Sequence, residues 1–288
     1  MNITSLSEGF GARVTGLALD GQLSSSAVAQ LRAVIDQYSF VHFPGQDMTD
    51  EKQLAFTRCF GSPEAEHVAY GTSGEVTYFG TVGNVREDGT IADAKNARYQ
   101  SGNQLWHSDS SFRETPSYLS ILHAYEIPEE GGDTEFASMR TAYERLSPAL
   151  KKQIDPLFVI HDYVFSRSPI APVHPNHAAS LPPVMHPLVR MNPALQKKNL
   201  YVGSHARSIV GFTGIESRAL LDQLLNHATD PCFVIRHQWA PGDTVIWDNR
   251  CVLHRGTGYD ASHWRRRLRQ TRVIGDESGT IHQPIPKN

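Results

Sequence analysis

Within Asn103-Gln104-Leu105-Trp106-His107-Ser108-Asp109-Ser110-Ser111-Phe112, an imidazole and a carboxylate stand two residues apart in an aromatic, otherwise uncharged setting. In extended backbone, residues i and i+2 point to the same face. His107 and Asp109 then offer a nitrogen and an oxygen to one point in space. A third candidate, His254, lies far downstream in Trp247-Asp248-Asn249-Arg250-Cys251-Val252-Leu253-His254-Arg255. Two histidines and one carboxylate on one side of a metal leave its other positions open, which suits non-haem Fe(II) oxygenases. A fold that uses all three must return residue 254 to residues 107–109. In a chain with 14 histidines a His-X-Asp pair also arises by chance, and alone it reads as a surface His beside an Asp. Trp106 and Phe112 argue against that reading, because an unpaired Asp among them would be costly to bury. His254 alone would read as a core histidine bonded to backbone.

The chain reads as many short strands with a few helices between them. Residues 10 to 20 read as a strand, followed by a helix from Ser24 to Tyr38 with Val28, Leu31, Ile35 and Tyr38 on one face. Phe40 to Phe43 is a strand stopped by Pro44-Gly45, and Asp50 to Cys59 is a helix with Thr49 as cap. Residues 62 to 102 read as irregular, with a strand-like piece at Val76 to Phe79 and a turn at Asp88-Gly89. Strands are expected at Tyr118 to Tyr125 and from Thr134, and helices at Arg140 to Leu146 and after Ser147, with Pro148 at the first position. Residues 165 to 187 read as a long loop, followed by short strands at Pro187 to Arg190 and Leu200 to Val202. Thr213-Gly214-Ile215-Glu216 has capping-box spacing and opens a helix to Ala228. Strands at Phe233 to Trp239, Thr244 to Trp247, Cys251 to His254 and about Arg266 to Ile274 close the chain. This pattern points to a β-sandwich or barrel decorated by helices, and in a double-sheet jelly roll distant strands meet across the mouth.

The strongest charge feature is Trp264-Arg265-Arg266-Arg267-Leu268-Arg269-Gln270-Thr271-Arg272. On a strand, Arg265, Arg267 and Arg269 share one face, and Arg266, Leu268, Gln270 and Arg272 share the other. A carboxylate ligand inside a barrel needs a planar, permanently charged fork, which Arg supplies. At least one of these arginines is expected to face inward.

Composition narrows the alternatives. A net charge of -3 gives no general reason to bind nucleic acid or anionic membranes. No apolar run approaches the roughly 20 residues of a membrane span, and the N-terminus carries no signal core. Cys59, Cys232 and Cys251 match no zinc or redox spacing, so reduced thiols in a cytoplasmic protein are expected.

Three segments carry a family resemblance: Asn103 to Phe112, Gly131-Gly132-Asp133-Thr134-Glu135-Phe136, and Trp247 to Gly256. In their order and content they resemble the taurine dioxygenase family, and within it the 2,4-dichlorophenoxyacetate dioxygenases. The resemblance runs from about residue 10 to 276. It implies a single domain over residues 1–288, mainly β, with a double-stranded β-helix (jelly roll) core flanked by α-helices. It implies Fe(II) held by His107, Asp109 and His254, with 2-oxoglutarate and O2 as cosubstrates. Arg269, fifteen residues beyond His254, matches the arginine that grips the distal carboxylate of 2-oxoglutarate, and Thr134 its hydroxyl partner. Asn103 and Arg265 match positions near the cosubstrate. Related halogenases lack the carboxylate, and here Asp109 is intact.

The implied reaction splits 2-oxoglutarate to succinate and CO2 while a substrate C–H is hydroxylated. On a carbon beside an ether oxygen, the product collapses, so an aryloxyacetate gives a phenol and glyoxylate. His67, Tyr70 and Lys95 lie in the stretch through which the family reads its substrate, where Arg98 is a further candidate cation. The expected substrate is an aryloxyalkanoate. A sulfonate or a natural-product intermediate, a metal-binding jelly roll without oxidation chemistry, and a zinc hydrolase are the other readings. The zinc hydrolase gives no reason for Thr134 and Arg269. The resemblance also implies a homo-oligomer, a dimer or larger.

Overall fold

The computed structural model describes residues 1–20, 23–66, 77–86, 88–92 and 101–275. Fifteen strands fall in it in chain order: β1 Asn2–Ser7, β2 Phe10–Thr15, β3 Phe40–Phe43, β4 Gly80–Gly83, β5 Ser117–Glu126, β6 Thr134–Ser138, β7 Phe158–His161, β8 Val184–Pro187, β9 Val189–Asn192, β10 Lys197–Leu200, β11 Ala206–Ile209, β12 Val234–His237, β13 Thr244–Asp248, β14 Val252–Gly256 and β15 Arg267–Ile274. Seven of them form one sheet in the order β1-β2-β3-β13-β5-β15-β4, and β12-β6-β14 form a second.

The two sheets face each other. Alternation along β13 and β5 shows how: Val245, Trp247, Leu122 and Ala124 point inward and pack with Phe136 and Val252 of the small sheet. Ile246, Leu119 and Ile121 point outward, into the layer formed by two helices, α1 Ser25–Tyr38 and α2 Asp50–Arg58. The inner side of the large sheet is therefore set by residues one position out of step with its helix-covered side. This is the jelly-roll core expected from the sequence.

Both leading helices begin where their caps stand. Ser24 accepts from the Ala27 amide and Thr49 from the Lys52 amide. Beyond β6 the chain builds a second layer: α3 Met139–Arg145, α4 Pro148–Ile154 and α7 Gly214–Ala228, with the reciprocal capping box of Thr213 and Glu216 in place. Leu220, Leu221 and Leu224 of α7 close this layer over Ala137 and Leu253. The β6 and β14 strands are thus packed on both faces and hold their register.

The structure departs from the expected elements in several places. Thr77 to Phe79 is not a strand; the strand begins at Gly80. The expected loop at 165–187 contains α5 Tyr163–Arg167, α6 Pro175–Ser180 and β8. The expected strand at Leu200 to Val202 lies earlier, at Lys197–Leu200. β1 is an additional edge strand, exposed along its whole length. Among the described residues no helix is long and apolar enough to cross a membrane.

Candidate active site

His107 and His254 meet backbone to backbone. The His107 amide donates to the His254 carbonyl at 3.1 Å and the His254 amide to the His107 carbonyl at 2.9 Å. This isolated antiparallel bridge sets the imidazoles side by side, with ring centroids 4.2 Å apart. Asp109, two residues along, brings Oδ1 to 3.7 Å from His107 Nε2 and 3.8 Å from His254 Nε2. The three ligand atoms lie within 4.8 Å of one another. These separations are too long for hydrogen bonds and suit a shared ion.

The surrounding groups fix His107 and Asp109. His107 Nδ1 lies 2.7 Å from the Leu105 carbonyl, so Nδ1 carries the proton and Nε2 keeps its lone pair for a metal. Asp109 Oδ2 accepts from Ser120 Oγ at 2.6 Å and from Gln270 Nε2 at 2.8 Å. With Oδ2 occupied, Oδ1 is the oxygen left facing the histidines. Asn249 ties the group together: its Oδ1 accepts from the Asp109 amide and from Trp247 Nε1, and its Nδ2 donates to Ser120 Oγ.

Burial pushes His254 down to about 3, with His107 adding to the shift. Burial also lowers His107. Both imidazoles are neutral at pH 7, the form that ligates. Burial opposes ionisation of Asp109, but His254, His107, Arg272 and the Ser120 hydroxyl outweigh it and hold the carboxyl below its usual range.

The triad opens on a cavity of about 160 Å³. Leu122 and Trp247 give it an apolar wall, and Asn103, Thr134, Tyr259 and Arg266 supply polar groups. Arg266 is only 5% exposed, and among the described residues no carboxylate pairs with it. Its Nε donates to the Gly132 carbonyl, and its guanidinium lies over the Tyr259 ring. Burial lowers it to about 10, so it remains a cation at neutral pH. Tyr259 and Asp133 favour its charge from a distance, and with no carboxylate at ion-pair range among the described residues it can receive an anionic ligand. Thr134 Oγ1 accepts from Trp239 Nε1, which leaves its own hydrogen to donate.

Residues 2–272 match the model of the taurine catabolism dioxygenase TauD, TfdA family. The chain is 39% identical to an alpha-ketoglutarate-dependent 2,4-dichlorophenoxyacetate dioxygenase of Burkholderia sp. (strain RASC), over 92% of each protein. It is 35% identical to an (S)-phenoxypropionate/alpha-ketoglutarate-dioxygenase of Sphingobium herbicidovorans, over 96% of this chain and 95% of that protein. Its structure matches the crystal structure of AAD-2 in complex with Mn(II) and N-oxalylglycine with a TM-score of 0.89, at 36% identity, over 98% of this chain and 99% of that one. The chain belongs to the TauD, TfdA family. It is accordingly a 2-oxoglutarate-dependent dioxygenase that uses Fe(II) and O2.

For a member of this family, the arginine expectations need correction. Arg269 faces away from the cavity. It pairs with Asp50 of α2 at 2.7 Å, donates to Thr81 Oγ1 and lies over the Phe79 ring. Arg265 is a surface residue that pairs with Glu126 at 2.6 Å and donates to the Gly89 carbonyl. Arg266, on the same face as Leu268 and Gln270, is the arginine at the cavity wall. Asn103 does line the cavity, and its Oδ1 accepts from Arg167 at 3.4 Å. His67, Tyr70, Lys95 and Arg98 lie outside the described residues.

The Gly-Gly-Asp-Thr segment of the TauD, TfdA chain also gains a structural reason. Gly132 has φ +70°, and a Cβ there would come 2.9 Å from Pro128 Cγ and 3.2 Å from Arg266 Nε. Only glycine lets the backbone turn and leaves room for the arginine beside it. Sequence reasoning missed Arg266, Gln270 and Ser120. The first two carry a signal, the alternation with Leu268, while Ser120 carries none.

Proposed function

We propose that this enzyme hydroxylates an aryloxyalkanoate at the carbon beside the ether oxygen, releasing a phenol and an oxo acid, with succinate and CO2 from 2-oxoglutarate. For an aryloxyacetate the oxo acid is glyoxylate. His107, Asp109 and His254 would hold Fe(II), whose open positions supply chelation of the keto acid and activation of O2. Arg266 would take the distal carboxylate of 2-oxoglutarate, assisted by the Thr134 hydroxyl.

The observation that carries the cosubstrate reading is the buried Arg266 guanidinium, unpaired among the described residues, on a cavity shared with the His-Asp-His triad. A dicarboxylate that bridges the two satisfies both. Trp247 and Leu122 exclude water from one wall, which strengthens the charge interactions inside. Ser120 and Gln270 keep Asp109 Oδ1 aimed at the histidines while the substrate enters. The aryloxyalkanoate reading rests on the relatives of Burkholderia and Sphingobium, which are 39% and 35% identical.

Succinate release measured against phenoxyacetate, 2-phenoxypropionate, taurine and an alkyl sulfate tests the proposal. Turnover of a phenoxyalkanoate with an equal yield of phenol supports it. Turnover confined to taurine or the sulfate overturns the substrate, and no 2-oxoglutarate-dependent O2 uptake with any of them overturns the reaction.

A further inference from the structure

A second group of metal-ligating side chains lies apart from the active site, where the two sheets meet. His42 stands on β3 of the large sheet, His237 on β12 of the small one, and Asp243 in the turn that leads into β13. The ligand atoms of these three residues lie within 4.8 Å of one another. We propose that His42, His237 and Asp243 form a second divalent-metal site, taking an ion of the zinc class, that ties β3 to β12.

The geometry is that of ligands around an ion. His42 Nε2 is 3.0 Å from Asp243 Oδ1 and His237 Nε2 is 3.3 Å from Asp243 Oδ2. Metal–ligand bonds of roughly 2.0–2.2 Å at tetrahedral or octahedral angles put neighbouring ligand atoms about 3.0–3.5 Å apart. Both imidazoles stand at hydrogen-bond range of Asp243 and, against its burial, help hold its carboxyl well below the usual range, yet neither buried Nε2 aims an N–H squarely at a carboxylate oxygen. Lone pairs that converge beside a carboxylate suit a cation there better than a proton.

The frame around the three residues is rigid. The His42 backbone pairs with Val245 of β13, and the His237 backbone with Thr134 of β6. Asp243 Oδ2 accepts from the Ala240 amide at 3.0 Å, which fixes the carboxylate plane. His237 is 8% exposed, so its imidazole meets the other two ligands out of water. Two histidines and one carboxylate leave a fourth position to water, a zinc-class donor set. The ion would also back the active cavity. Trp239 meets the His237 ring edge-on at 4.6 Å and donates to Thr134 Oγ1.

The chain is stripped with chelator, reloaded with Zn(II), desalted and counted by plasma mass spectrometry. Two zinc ions per chain are expected in the wild type, one in Asp109→Ala, one in His237→Gln and none in the double variant. Wild type with a single ion, or a double variant that keeps as much zinc as Asp109→Ala, overturns the site. A measurement that needs no variant is anomalous diffraction above and below the zinc edge from crystals of the Zn(II)-reloaded wild type. A peak between His42 and His237 supports the proposal, and density showing only a hydrogen-bonded His-Asp-His group overturns it.

Discussion

Gln270 donates from Nε2 to Asp109 Oδ2 at 2.8 Å, and Arg272 in turn donates to Gln270 Oε1 at 3.2 Å. A chain of donors therefore runs from a buried arginine to the carboxylate of the triad. Arg272 is itself held by Glu64 and Glu66, and Glu64 accepts from Ser110 and Ser117. Asp109 cannot rotate without breaking bonds to both Gln270 and Ser120. Removing either donor is expected to loosen the metal: Gln270→Leu and Ser120→Ala should each weaken Mn(II) binding roughly 10- to 100-fold. Electron paramagnetic resonance titration of free Mn(II) reads this directly, and wild-type affinity in both variants would refute the positioning role.

The two faces of the arginine strand should separate by assay. Arg266→Ala removes a charge-assisted bond worth about 1.5–3 kcal/mol, so 2-oxoglutarate affinity should fall about 10- to 100-fold. Arg269→Ala should leave that affinity within about twofold. It should instead lower the melting temperature, since Arg269 holds Asp50 of α2 and the Phe79 ring. Calorimetric titration of the Mn(II)-loaded protein with 2-oxoglutarate, beside thermal melts, distinguishes the pair. The reverse pattern would return the cosubstrate to Arg269.

The sequence pattern by itself does not single out Arg266. The alternation of residues 265 to 272 sorts the arginines onto two faces without saying which is inside. Leu268 answers it, because a fully buried leucine on β15 belongs to the core between the sheets. A spacing taken from family resemblance chose the face opposite Leu268. The triad was legible for a different reason: His107 and Asp109 are neighbours in sequence, and extended backbone alone aims them together. Helices with caps, such as α1 and α7, were legible for the same local reason. The five-residue α5 and six-residue α6 are shorter than two turns, so no amphipathic period can develop in them. β1 buries nothing, so alternation leaves no mark on it.

Gly132→Ala tests the close approach beside Arg266. An L side chain at φ +70° costs about 1–2 kcal/mol, and its Cβ presses on Pro128 and Arg266. The variant should melt lower and bind 2-oxoglutarate several-fold more weakly, as the guanidinium moves off the Gly132 carbonyl. Gly89→Ala is the comparison: its φ is +81°, but nothing lies within 4 Å of the added carbon. It should lose stability without losing cosubstrate affinity. Equal loss of affinity in both variants would show that the contact with Arg266 does not matter.

Acid should destabilise the fold through histidines outside the metal triad. Burial, then the nearby Arg190, brings His186 down to about 4. Burial, His186 and Arg190 hold His161 well below the usual range. In the unfolded chain both titrate near 6.5. Between about pH 4 and 6.5 the unfolded chain therefore binds more protons than the folded one, and stability rises with pH. It is fully present above about pH 6.5 and is lost as the pH falls through that window, each histidine adding a slope of at most about 1.4 kcal/mol per pH unit. Urea unfolding followed from pH 7 to pH 5 should show this decline, and His186→Leu should flatten it whatever it does to the midpoint. The slope is the diagnostic quantity, because losing the bond from His186 to the Arg113 carbonyl lowers stability at every pH. A wild-type slope of zero in this window, or one that the substitution leaves unchanged, would mean that these imidazoles are not held neutral by burial.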